Sequence, residues 1–401
     1  MLFSVVLTLL HGSEPANELR GDDTIATDGP FTEPERMALL AQWQPLRDRL
    51  DALKDAPGVS TDRWADAHIF LKGVLWGIDF GPVTNAAGRG VLRQGLLRAQ
   101  QRIEALAAGR SPWTLRRGRT VRGFVSAIDG SVQPYGLIVP TGYDPAQPIR
   151  LDVVLHGSTP ATGIGELQFI LAADGGDDPQ SAGPATSFIE VHPMGRLGEN
   201  AYRFEGETDV DEAIEAVCRD YRIDRDRIVL RGSSLGGVGT WQLGLKRPDR
   251  YVALGPAAGP VDTIVFANSP WKHFVRLDPL TGWQRTMLHL VDAIDYTANA
   301  GMVPVVAAMG DQDPYFDSHQ LIEREFAEEG IPFVGLVDRG AGHGLTAAVM
   351  QRQLDLLGEH AAKGRDPFPK HVRFVTWTLK FSRCHWLEVL GLESHYQRAQ
   401  I

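Results

Sequence analysis

The chain has 401 residues, 43% of them hydrophobic, and a net charge of -10, enough for one or two domains with a large core. An acidic balance without any basic run argues against nucleic acid and against an anionic membrane surface as partners. Cys218 and Cys384 stand far apart and have no metal-ligand spacing, so no disulfide framework and no zinc or other metal site is indicated, and no pattern asks for a cofactor.

Residues 1–10, MLFSVVLTLL, are apolar but too short to span a bilayer as a helix. They resemble the apolar core of a signal peptide, which points to a secreted or periplasmic protein. No Lys or Arg precedes them and no small-x-small cleavage site follows, so a stray apolar N-terminus in a cytoplasmic protein stays open. Residues 1–30 are therefore set apart as leader and linker. Thr32-Glu33-Pro34-Glu35 reads as a capping box opening a helix, with Leu39, Leu40, Trp43, Leu46, Leu50 and Leu53 on one face and Pro45 as a kink. Ser60 or Thr61 caps a second helix, and a third runs over 91–108. Residues 31–115 thus form a small helical segment, whose aromatics at helical spacing predict packing against the main domain rather than a binding platform.

At Thr120 the period changes. Residues 121–127 and 132–139 flank Asp129-Gly130, a hairpin turn signal. Apolar runs at 151–155, 187–191, 227–230, 251–254, 303–309 and 333–337 then alternate with helices at 210–221, 238–246, 318–329 and 345–362. This predicts an α/β domain over 116–365, mostly parallel, with an antiparallel N-terminal hairpin and helices on both faces. Asp174, Asp177 and Asp178 read as a solvated acidic turn. In the C-terminal extension, 366–401, the alternation predicts a hairpin of 372–381 with 385–390 and a helix-like tail.

Gly232-Ser233-Ser234-Leu235-Gly236 fits G-x-S-x-G between an apolar strand and a helix: a sharp turn that lifts a serine hydroxyl clear of a sheet, with glycines where Cβ atoms would collide. Ser234 is the candidate nucleophile. A serine needs a base within hydrogen-bond reach, itself oriented by a carboxylate. His343 stands in a glycine-rich loop, Gly340-Ala341-Gly342-His343-Gly344, directly after a late strand. The preferred acid is Asp313, after the 303–309 strand and ahead of Pro314; Asp311 and Asp262 are alternatives. Oxyanion donors would be the Leu235 N–H and the N–H of Gly157 or Ser158 in the loop after the 151–155 strand. His156 is expected to be structural or substrate-binding rather than to transfer a proton. The 192–206 loop, with His192, Asn200 and Arg203, and an insertion at 261–295, with Trp271, are placed to shape a pocket, the latter as a lid. Gly236-Gly237-Val238-Gly239 is not a phosphate loop, since no Lys-Ser/Thr follows it.

Together, His156-Gly157, Gly232 to Gly237, Gly310-x-x-Asp313 and Gly342-His343-Gly344 resemble the prolyl-oligopeptidase-like and esterase branch of the α/β-hydrolase superfamily. The hairpin from Val125 to Gly136 is similar to one in bacterial members of that family. The resemblance covers residues 115 to 362 and implies an α/β-hydrolase fold with Ser234, Asp313 and His343 as a triad. Prolyl oligopeptidases carry a large propeller ahead of the catalytic domain, whereas about 115 mostly helical residues precede it here. The expected activity is hydrolysis of a carboxylic ester, on a small-molecule, carbohydrate-linked or aromatic substrate. A peptidase is the alternative, and a non-catalytic binding protein of the same fold the minor one.

Overall fold

A computed structural model describes residue 29 and residues 31–81, 85–159, 162–196, 200–268 and 279–401. The leader expected over 1–30, apart from Gly29, and Trp271 of the expected lid lie outside the described residues.

Three helices come first: α1 (Glu33–Leu53), α2 (Thr61–Asp79) and α3 (Ala86–Ala107). Thr32 and Glu35 form the expected capping box, and α1 continues through Pro45. Ser60 caps α2, and α3 starts earlier than its apolar period suggests because the Asn85 side chain accepts from the Gly88 N–H. The strands follow: β1 (Gly118–Val125), β2 (Val132–Val139), β3 (Ile149–Leu155), β4 (Phe188–Pro193), β5 (Ile223–Ser233), β6 (Ala253–Ala257), β7 (Val306–Gly310) and β8 (Val334–Asp338). Between them lie α4 (Gly165–Ala173), α5 (Glu205–Asp220), α6 (Leu235–Lys246), α7 (Thr263–Asn268), α8 (Gly282–Met287), α9 (Phe316–Glu328) and, after β8, α10 (Ala347–Lys363).

The eight strands form one sheet in the order β1-β2-β4-β3-β5-β6-β7-β8. The β1–β2 and β2–β4 pairs are antiparallel and the rest parallel, which is the α/β-hydrolase architecture. The parallel strands are apolar runs because both faces are covered. One core joins β2 to β5 to α5 and α6 through residues such as Leu151, Val153, Leu230, Val217 and Trp241, while Val229, Ala253 and Val306 face Leu357 of α10. The acidic turn is not simply solvated: Arg98 bonds Asp174 and Asp177, and Arg102 reaches Asp177 at 3.4 Å. Both cysteines are free thiols. Among the described residues no helix is long and apolar enough to cross a membrane.

The helical segment packs on β1 and β2, burying Phe70, Ile103 and Trp113 with Val121 and Val132. Its join to the sheet is polar as well. The fully buried Asp66 carboxylate accepts from Arg122 Nε at 2.8 Å, from Trp113 Nε1 at 2.8 Å and from the Gly123 N–H at 2.8 Å. A Cβ on Gly123 would lie 2.7 Å from the Ala65 carbonyl oxygen, so helix and strand touch backbone to backbone. Replacing one partner of such a group leaves the others buried and unsatisfied. Asp66→Ala is expected to lower stability by about 3–5 kcal/mol, read as a fall in the denaturant midpoint.

A second charged array crosses the sheet itself. Arg150 Nε bonds Asp152 at 2.6 Å, Asp152 accepts from Arg231 Nε at 3.0 Å, Arg231 Nη2 reaches Glu190 at 2.7 Å, and Glu190 meets His192 Nε2 at 3.1 Å. These side chains come from β3, β5 and β4 and share one face, as the register Asp152↔Glu190 and Asp152↔Val229 requires.

The hairpin expected between 372–381 and 385–390 does not form. Val375–Thr376 (β9) pairs instead with Ala399–Gln400 (β12), and Arg383–Cys384 (β10) turns back on Leu387–Glu388 (β11). The cause is lateral. Asn299 brackets Val375, accepting from its N–H at 2.6 Å and donating to its carbonyl at 2.9 Å, and the Trp377 indole donates to the Asp295 carbonyl at 2.9 Å. The tail expected to be helical therefore supplies a strand.

Candidate active site

The strand β5 ends at Ser233, and the chain turns into α6 through Ser234, whose φ of 59° and ψ of -124° are a conformation that residues with a Cβ seldom adopt. The turn is fixed from several sides. The Ser234 N–H donates to the Ala257 carbonyl at 2.9 Å, and its own carbonyl accepts from the Val238 N–H at 3.0 Å. A Cβ on Gly232 would lie 2.5 Å from the Gly236 carbonyl oxygen, and one on Gly236 would collide with the carbonyl oxygen of Leu155. The glycines of the motif are therefore demanded by contacts within the turn and with β3.

His343, in the loop after β8, meets both expected partners. Its Nε2 lies 2.8 Å from Ser234 Oγ and its Nδ1 2.9 Å from Asp313 Oδ2. The carboxylate can only accept, so Nδ1 carries the proton and Nε2 is left to accept from the serine hydroxyl. Asp313 is 4% exposed, and its other oxygen accepts from the Tyr315 N–H at 2.9 Å. The remaining acids are engaged elsewhere. Asp311 accepts from the Gly340 N–H at 2.7 Å and so braces the histidine loop, and Asp262 accepts from the Val265 N–H at 2.7 Å at the start of α7.

The loop after β3 lies against Ser234: a Cβ on Gly157 would stand 3.3 Å from Ser234 Cβ. Leu235 opens α6, where the first N–H groups have no acceptor within the helix. Ser158 in the same loop is exposed. His156 is wedged between backbone carbonyls, with Nδ1 2.8 Å from Gly157 O and Nε2 3.0 Å from Met194 O, and its ring packs on Phe169 and Tyr202. Burial lowers its pKa against the two carbonyls, which raise it, and the ring ties the loop after β3 to Met194.

Of the residues expected to shape the pocket, His192 bonds Glu190 in the charged array across the sheet. Asn200 accepts from the Tyr202 N–H at 2.9 Å and so closes its own loop. Neither makes a bond to Ser234, His343 or Asp313. Arg203 differs: it lines a cavity of about 80 Å³ with Leu235, Val261, Asp262, Phe266 and Val291, so both flanking loops contribute to one recess beside α6.

Two tyrosines carry positions that pattern reading passes over. Tyr315 supports Asp313 through its N–H and sets its ring edge-on to His343 at 5.5 Å. Tyr202 donates to the His156 carbonyl at 3.0 Å and fills the space opposite Gly239. The Asp313-Pro314-Tyr315 turn is a local cue for the first; the second is fixed by tertiary contacts alone.

A model of the prolyl oligopeptidase family matches residues 196–361. A stretch of 76 residues is 30% identical to a bifunctional acetylxylan esterase/xylanase of Neocallimastix patriciarum, covering 18% of this chain and 11% of that protein. Among solved structures, the Pyrococcus horikoshii acylaminoacyl peptidase is similar at 17% identity and a TM-score of 0.47, over 64% of this chain and 43% of that one. The Staphylococcus aureus fluorophosphonate-binding serine hydrolase F is similar at 13% identity and a TM-score of 0.45, over 61% and 99%. The chain thus spans about a tenth of the curated relative and under half of the archaeal peptidase. The sheet order and the strained serine turn are those of an α/β-hydrolase fold, and within it residues 196–361 are similar to the prolyl oligopeptidase family.

Proposed function

We propose that the chain hydrolyses carboxylic esters through an acyl-enzyme formed on Ser234. The observation that carries this reading is the single histidine ring within hydrogen-bond distance of both Ser234 and Asp313. His343 takes the Ser234 proton as Oγ attacks the ester carbonyl. The N–H groups of Leu235 and of the Gly157–Ser158 loop receive the developing oxyanion. His343 then protonates the departing alcohol, and water, deprotonated by the same ring, releases the acid. Asp313 holds the tautomer and balances the imidazolium.

The esterase named in the curated relative supports ester over amide and favours an acetylated carbohydrate among the candidates. The second reading, a peptidase, draws on the family match itself. A panel of p-nitrophenyl acyl esters, an acetylated xylan oligomer, an aromatic methyl ester and a prolyl peptide amide separates the two. Ester turnover with the amide untouched is the expected result. Amide cleavage at a comparable rate would move the assignment to a peptidase, and silence on every substrate together with no labelling by a fluorophosphonate would overturn both.

A further inference from the structure

We propose that Arg203 is a specificity-determining residue that binds a carboxylate carried by the substrate, so that the preferred ester has an anionic group in its acid or alcohol part. The proposal deepens the ester reading above and rests on it.

Three observations converge on this side chain. The first is its loop. Ala201, Tyr202 and Phe204 all have positive φ, at 51°, 58° and 54°. None is glycine, so each holds a backbone conformation that a side chain makes unfavourable. The strain persists because the loop is clamped: Asn200 bonds the Tyr202 N–H, the Tyr202 hydroxyl bonds the His156 carbonyl, and Gln242 Nε2 bonds the Ala201 carbonyl at 2.6 Å. A chain held this way delivers the next side chain to a fixed place.

The second is what that side chain lacks. Other half-buried arginines meet acceptors, such as Arg247 with Glu207 and Asp211 and Arg365 with Asp226. Lys246, on the α6 side of Arg203, donates to the Leu290 carbonyl. The guanidinium of Arg203 has no hydrogen bond and no ion pair among the described residues, and its Nε is buried without a partner. Burial depresses its pKa against the pull of Asp292, yet a guanidinium stays charged. The nearby carboxylates do not neutralise it by contact. Asp292 accepts from the Thr263 N–H and hydroxyl, and Asp262 from the Val265 N–H.

The third is position. Arg203 shares its recess with Leu235, the residue directly after Ser234. A half-buried guanidinium without an acceptor, in a recess bordered by Leu235, matches a carboxylate in geometry and charge.

The test is calorimetric titration of the Ser234→Ala protein, with and without Arg203→Met, using succinate, glutarate and adipate against their neutral diamides. At least one dicarboxylate is expected to bind ten- to a hundredfold more tightly than its diamide, as one charge-assisted pair implies. Arg203→Met should erase that margin and leave the diamides unchanged, while Arg203→Lys should retain part of it. Thermal midpoints of the three proteins confirm folding. Dicarboxylates no tighter than their diamides, or a margin that survives Arg203→Met, would overturn the proposal whatever the ester panel shows. Dicarboxylate binding through Arg203 in a protein that hydrolyses no ester would overturn the ester reading and leave the carboxylate site standing.

Discussion

Ser234→Ala is expected to lower kcat on any ester the protein hydrolyses by about 10⁶-fold, the loss seen when a serine nucleophile is removed from a relay of this kind. The substitution is clean. Ser234 Oγ bonds His343 Nε2, and no buried partner other than that ring is left without its hydrogen bond. The φ of 59° is no worse for alanine than for serine, since both carry a Cβ. The thermal midpoint should therefore stay near that of the unmodified protein while fluorophosphonate labelling disappears. A residual rate enhancement over water should remain from substrate positioning and the oxyanion donors. Turnover that survives at a tenth of the original rate would mean that Ser234 is not the nucleophile.

Asp313→Asn is expected to cost about 10⁴-fold in kcat, and the hydrogen bonds around the residue say why. One carboxylate oxygen accepts from the Tyr315 N–H and the other from His343. The backbone N–H of Tyr315 is fixed and must be met by an acceptor, so the asparagine carbonyl takes that side. Its amide NH₂ then faces His343 Nδ1 and donates to it, which forces the proton onto Nε2. The ring can no longer accept from Ser234. The loss should appear in kcat rather than KM, with folding intact, because volume and burial are unchanged. A drop of tenfold or less would show that His343 is oriented by something else.

The parts of the site legible in the sequence are those where steric need leaves one residue type. Gly232 and Gly236 are required by contacts that a Cβ would violate, so the serine between them could be picked out directly. His343 was legible because its loop is short, glycine-rich and follows a strand. Asp313 stands out from Asp311 and Asp262 in the sequence only by its place ahead of Pro314, since all three follow strands of the same sheet and differ in which backbone N–H each meets. Arg203 was visible only as a member of a loop; the positive φ values around it leave no mark in Ala-Tyr-Arg-Phe. The helix α4 escapes periodicity because Gly-Glu-Leu-Gln-Phe-Ile-Leu-Ala-Ala has almost no polar face and no side-chain cap. The pairing of β9 with β12 escapes for another reason. It is set by Asn299, more than seventy residues upstream, rather than by any turn between the strands.

The charged array on the sheet bears on how the protein assembles. Parallel neighbours are joined by long crossovers, so no tight turn dictates which residue of β5 meets which residue of β3. Apolar runs such as Val229-Leu230 and Val153-Val154 are buried on both faces and tolerate sliding. Arg231 does not. A shift of β5 by one residue would send its guanidinium to the opposite face, stranding Asp152 and Glu190 together without their shared cation. The misaligned sheet would thus be penalised electrostatically, and the ionic lattice singles out one alignment of the strands that the apolar runs alone would not.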